Sequence, residues 1–210
     1  MRQWLLIAFM FYLLPAGAHA AENFVKIRLP NGVSIDLPRN WIVLSGNQRI
    51  TLDTAVESAL DLSNRPHSKS SLPFAANYYT DDKRTAAMVN VRYYPDLTLT
   101  QNDANATTSQ DVKELDEALR QNVPAGFGSI GMRLISWNGT HKTKINGLIV
   151  FVTEYERGSI KSTGNFRVRL IRVFLSNRSF TLTVSYLVSQ EPLLRLITDR
   201  IIRSLVIKKS

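Results

Sequence analysis

The chain of 210 residues carries 26 lysines and arginines against 17 acidic residues, a net charge of +9, and contains no cysteine. A disulfide framework is thereby excluded and stability must come from an apolar core, for which this length suffices. The basic balance favours anionic partners and says nothing of the fold.

The first twenty residues have the three parts of an export leader. Arg2 is the only charge, the run Trp4 to Leu14 is unbroken apolar surface, and Ala18-His19-Ala20 has the small-x-small form of a cleavage site. An apolar run of this length is about half of the roughly 20 residues a bilayer-spanning helix needs. A cut between Ala20 and Ala21 is therefore expected, with residues 1–20 the signal peptide and 21–210 one domain without a membrane anchor. The cut site lacks the cysteine a lipoprotein requires. A periplasmic location follows as an expectation.

Beyond the leader, Phe24 to Pro30 and Val33 to Pro38 alternate apolar and polar residues around Asn31-Gly32, which predicts a two-stranded hairpin. Trp41 to Leu44 is an apolar cluster expected to plug one end of the core. Thr54 and Glu57 have capping-box spacing and predict a short helix ending before Asn64. Pro66 to Pro73 reads as a polar loop, and Ala75 to Thr80 and Thr85 to Tyr94 as strands joined at Asp81-Asp82-Lys83. Asp96 to Thr107 reads as a second loop. Thr108 with Asp111 opens a helix whose stripe is Val112, Leu115, Leu119 and Val123.

From Gly131 onward four strand-like segments follow: Met132 to Trp137, Leu148 to Tyr155, Phe166 to Leu175 and Phe180 to Leu187. Their short connections, Asn138-Gly139 and Asn146-Gly147 among them, predict an antiparallel meander. Within the last, Phe180, Leu182, Val184 and Tyr186 share one face. A closing helix starts near Ser189, with Leu193, Ile197, Ile201 and Leu205 expected on its buried side, and Val206-Ile207 reads as a terminal strand. The class is α+β.

No catalytic, cofactor-binding or metal-binding set emerges. His67 and His141 are read as exposed loop residues without a carboxylate or second histidine at useful spacing. The serine elbow and the S-x-x-K pair are absent, and Gly126, Gly128 and Gly131 follow a helix instead of preceding one, the reverse of a phosphate loop. The strongest cluster is basic: Arg157, Lys161, Arg167, Arg169, Arg172 and Arg178, with Arg167 and Arg169 on one strand face. Tyr79 and Tyr94 are the expected outward members of the pairs Tyr78-Tyr79 and Tyr93-Tyr94. Arg157, Lys161, Arg167, Arg169, Arg178, Tyr79 and Tyr94 are thus the candidate partner-binding residues.

Element order, together with Leu29-Pro30, Ile35-Asp36-Leu37-Pro38 and Trp41 near the start and Ile201-Ile202-Arg203-Ser204-Leu205 near the end, resembles the PsbP-like (Mog/PsbP) family, including small bacterial periplasmic proteins of the DcrB type. The resemblance implies a three-layer α/β/α sandwich with a central, mainly antiparallel sheet, and an accessory or scaffolding role toward a larger partner. No metal-ligating residues carry over from it. The expected function is that of an exported, non-enzymatic accessory or binding protein. It contacts a protein or an anionic envelope component, not nucleic acid, through a basic, tyrosine-bearing surface. A hydrolase of an anionic envelope polymer and a structural subunit of a secretion or conjugation assembly are the alternatives.

Overall fold

The computed structural model describes residues 23–51, 70–95, 99–129, 131–159, 164–175 and 178–208. Strands β1 (Phe24–Arg28) and β2 (Val33–Pro38) pair antiparallel with Ile27 opposite Ile35. Their connection is a tight 3-10 turn in which Asn31 and Gly32 both take positive φ, 65° and 74°. A side chain at Gly32 would be strained by that backbone and would also meet the Lys208 carbonyl, 2.8 Å from an ideal Cβ. The close approach exists because the carboxy-terminal β10 (Val206–Ile207) pairs with β2, completing a small three-stranded sheet.

The large sheet has seven strands in the order β3-β4-β5-β9-β8-β7-β6, every neighbouring pair antiparallel. They are β3 (Ile42–Val43), β4 (Ser71–Tyr79), β5 (Thr85–Tyr94), β6 (Met132–Ile145), β7 (Leu148–Ser159), β8 (Asn165–Leu175) and β9 (Arg178–Leu187). After β5 the chain crosses to the far edge through α2 (Gln101–Ala106) and α3 (Ser109–Ser129), then returns as the meander β6 to β9. A short helical stretch at 46–51 is α1, and α4 spans Glu191–Arg203.

Strand alternation assigns two faces to this sheet. One carries Val89, Val91, Tyr93, Phe180, Leu182, Val184, Ile171, Val173, Val150 and Val152. It packs against Ile35 and Leu37 of the small sheet and Leu194, Ile197 and Ile201 of α4. The opposite face carries Ile149, Phe151 and Phe174, against which Ala104 of α2 and Val112 and Leu115 of α3 settle. The result is a three-layer α/β/α sandwich of α+β class.

Several local expectations are corrected. Trp41 is buried, but Ile42 and Val43 are 57% and 46% exposed, so β3 is an edge and not a plug. Strand β4 starts at Ser71, within the expected loop, with its pairing irregular between Ser71 and Phe74 around Pro73, a residue that cannot donate to a ladder. Helix α2 lies within the second expected loop and α3 runs on through Pro124 to Ser129. Asn138-Gly139 is a bulge within one long β6, so His141 is an exposed strand residue and does not follow a turn. On α4 the core leucine is Leu194, while Leu193 is 48% exposed. The helix expected over Thr54 to Leu62 lies outside the described residues.

Both crossover helices begin with reciprocal caps. The Thr100 and Thr108 N–H groups donate to the carboxylates of Asp103 and Asp111, 2.7 Å each, and the threonine hydroxyls accept from the aspartate N–H groups. These bonds, from the threonine backbone first, hold both carboxyls below the usual aspartate range. Gln101 then fastens α2 to the sheet. Its amide donates to the carbonyls of Ile149 and Phe174 and accepts from the Ile149 N–H, three bonds of 2.8 to 3.0 Å.

Candidate partner-binding surface

Arg167 and Arg169 sit on the α4 side of β8, as strand parity requires, but both face inward beneath that helix. Arg167 is clamped by Glu156 of β7, opposite it in the ladder, and lies 3.3 Å from Glu191 of α4. The bond to Glu156 raises its pKa above the ordinary arginine value. Arg169 donates to Asp199 at 2.5 Å and to the Thr198 hydroxyl at 2.9 Å. These arginines are internal counterions for the acids of α4.

The other candidates lie elsewhere. Arg157 points to the opposite face, where its guanidinium contacts the Met132 sulfur at 3.1 Å and the Phe166 ring at 5.2 Å. Burial holds its pKa below the ordinary value, and burial pushes neighbouring Tyr155 up to about 12. Tyr155 in turn stacks on Trp137, with ring centroids 5.8 Å apart, making Arg157 part of an aromatic layer. Arg178 is on the inward face but eight residues along β9 from the partner of Arg167, about 27 Å away. There it donates to Asn31 of the hairpin turn.

Tyr79 accepts from Asn77 at 3.0 Å, and Tyr94 is half-buried at the far end of β5, about 30 Å from Tyr79. Lys161 lies outside the described residues. The sheet therefore does not gather the six described candidates into one patch.

Helix α4 also brings positive charge to the surface, next to exposed apolar side chains. Its two acids, Glu191 and Asp199, turn toward Arg167 and Arg169, whereas Arg195, Arg200 and Arg203 are exposed. Arg195 reaches Glu191 only at 3.8 Å with its side chain 63% exposed. Two leucines lie among these arginines, Leu193 and Leu196, the latter 60% exposed. The spacing Leu193, Leu196, Arg200, Arg203 places all four on one stripe of the helix. Arg200 lies over the Phe24 ring at 3.8 Å, fastening the stripe to β1. Leu193, expected on the buried side, is exposed here together with Leu196. The 3-4-3 spacing was the available signal.

A cavity of about 250 Å³ lies between α2, α3 and the opposite sheet face, lined by Leu115, Phe151 and Phe174 with Arg172, Asp103 and Asp111 at its polar side. Two carboxylates stand against one guanidinium there, so it does not share the basic character of α4. Among the described residues no group of three or more metal-ligating side chains is assembled. No helix among them is long and apolar enough to cross a membrane.

An antiparallel sheet flanked on one side by a terminal helix with a small accessory sheet, and on the other by two crossover helices, defines a three-layer sandwich of a specific topology. The chain has the PsbP-like fold. It overlays cyanobacterial PsbP (CyanoP) from Synechocystis sp. PCC 6803 with a TM-score of 0.55, at 9% identity, over 93% of this chain and 99% of that one. The Ran-binding protein Mog1p of Saccharomyces cerevisiae overlays with a TM-score of 0.46 at 9% identity, over 89% and 96% of the two chains. LpqN of Mycobacterium tuberculosis, described as involved in cell envelope biogenesis, gives 0.45 at 10% identity over 89% and 91%. No family model matches the chain, and no curated protein matches it.

Proposed function

We propose that this is an exported, non-enzymatic accessory protein of the cell envelope, periplasmic after cleavage between Ala20 and Ala21, with residues 21–210 as one PsbP-like domain. It works by holding a protein or an anionic envelope component. The observation that carries this reading is the sorting of charge on α4, whose acids are consumed internally while its arginines and two leucines are presented outward. The basic surface is thereby moved from β8 to α4. The outward arginines give long-range attraction and the two leucines supply apolar contact on the same stripe.

The test is co-isolation from envelope extract with the protein recovered after export. Arg200→Glu with Arg203→Glu should abolish salt-sensitive capture. Turnover of an envelope polymer that a single side-chain change eliminates would instead establish the hydrolase. Capture unaffected by the α4 changes would remove the observation on which the reading stands.

A further inference from the structure

We infer that the outer face of α4 docks on an anionic lipid surface. This rests on the binding role proposed above and names the partner's chemistry. From Leu193 to Arg203 the stripe rises about 15 Å along a helix roughly 10 Å wide. The area offered is about 150 Å², far below the roughly 800 Å² a side of a stable protein interface. A bilayer surface needs no such area and no matched shape. It requires apolar groups that can enter the headgroup boundary and cations beside them, and Leu193, Leu196, Arg200 and Arg203 supply these on one exposed stripe.

Charge complementarity favours the anionic surface over a neutral one. The two acids that would repel it, Glu191 and Asp199, are withdrawn toward Arg167 and Arg169, so the helix shows the bilayer a cationic side although its own composition is nearly balanced. The buried side of the same helix, through Leu194, Ile197 and Ile201, is fixed in the core. Docking therefore needs no refolding. Contact through two leucines and two arginines is weak and reversible, and strongly salt-dependent.

The experiment is flotation of the protein recovered after export with vesicles of phosphatidylglycerol and phosphatidylcholine, or of phosphatidylcholine alone. Binding is expected to the anionic vesicles at low salt and to be lost at high salt. Arg200→Gln and Arg203→Gln should each weaken it about fivefold, and Leu193→Ser with Leu196→Ser about tenfold or more. Both leucines are exposed, so the latter pair should leave the melting temperature within about 2 °C.

Equal binding to neutral vesicles, or binding that survives both sets of changes, overturns the inference by placing the contact on another surface, the apolar amino-terminal run included. Absence of vesicle binding, with α4-dependent capture from envelope extract retained, overturns the lipid assignment alone and leaves the binding role standing. Loss of both overturns both.

Discussion

The Arg169–Asp199 pair joins the sheet to α4, and its loss should be felt by the whole fold. The side chains are 15% and 26% exposed and meet at 2.5 Å. Unit charges about 4 Å apart interact by roughly 4 kcal/mol at an effective dielectric of 20, and partial exposure reduces this to about 2 to 3 kcal/mol. Asp199→Asn should therefore destabilise by about that amount, because Arg169 stays largely buried and loses its closest carboxylate while keeping the Thr198 hydroxyl. For a chain of this size that is a fall in melting temperature of roughly 4 to 12 °C. The double change Arg169→Met with Asp199→Leu removes both charges and should recover to within about 1 kcal/mol of the parent. Thermal and urea unfolding of the parent, Arg169→Met, Asp199→Leu and the double form the cycle. Shifts that merely add, with no recovery in the double variant, would refute the claim that these groups are each other's counterions.

Gln101→Ala should cost about 2 to 3 kcal/mol in urea unfolding, since it strips partners from the backbone of Ile149 and Phe174 at once. A cost below 0.5 kcal/mol would mean that solvent replaces these bonds. Asp103 and Asp111 have lowered pKa values in the folded state, so their stabilising effect is present above the unfolded value near 4 and disappears as pH falls through the folded value. The melting temperature of Asp103→Asn with Asp111→Asn should lie below the parent's at neutral pH, and the gap should close below about pH 4. A gap that stays constant into strong acid would contradict the capping assignment.

Local patterning made much of the fold legible. The alternation of Phe180, Leu182, Val184 and Tyr186 fixed the inward face of β9, and Asn31-Gly32 fixed the opening hairpin. The three-layer architecture is what the resemblance to the PsbP-like family implies, and the structure has it. What escaped depended on distant partners. Arg167 and Arg169 were correctly read on one face, but Glu191 and Asp199, which neutralise them, lie 24 and 30 residues further on in another element. Leu193 and Leu194 are adjacent and equally apolar, so only packing against the sheet decides which is core.

Asn138-Gly139 has the composition of a hairpin turn, yet Gly139, with φ of 96°, serves a bulge because the β7 ladder continues past it. Helix α2 was overlooked inside a polar stretch, although Thr100 and Asp103 carried the same capping signal that correctly marked α3.

The account turns on α4 being the face that meets the partner while the arginines of β8 stay within. A photo-crosslinking residue placed at Leu196 and, separately, at Tyr79 in exporting cells tests this most directly. The account predicts envelope adducts from position 196, weakened by Arg200→Glu with Arg203→Glu, and none from position 79. Adducts from position 79 with none from 196 would contradict it.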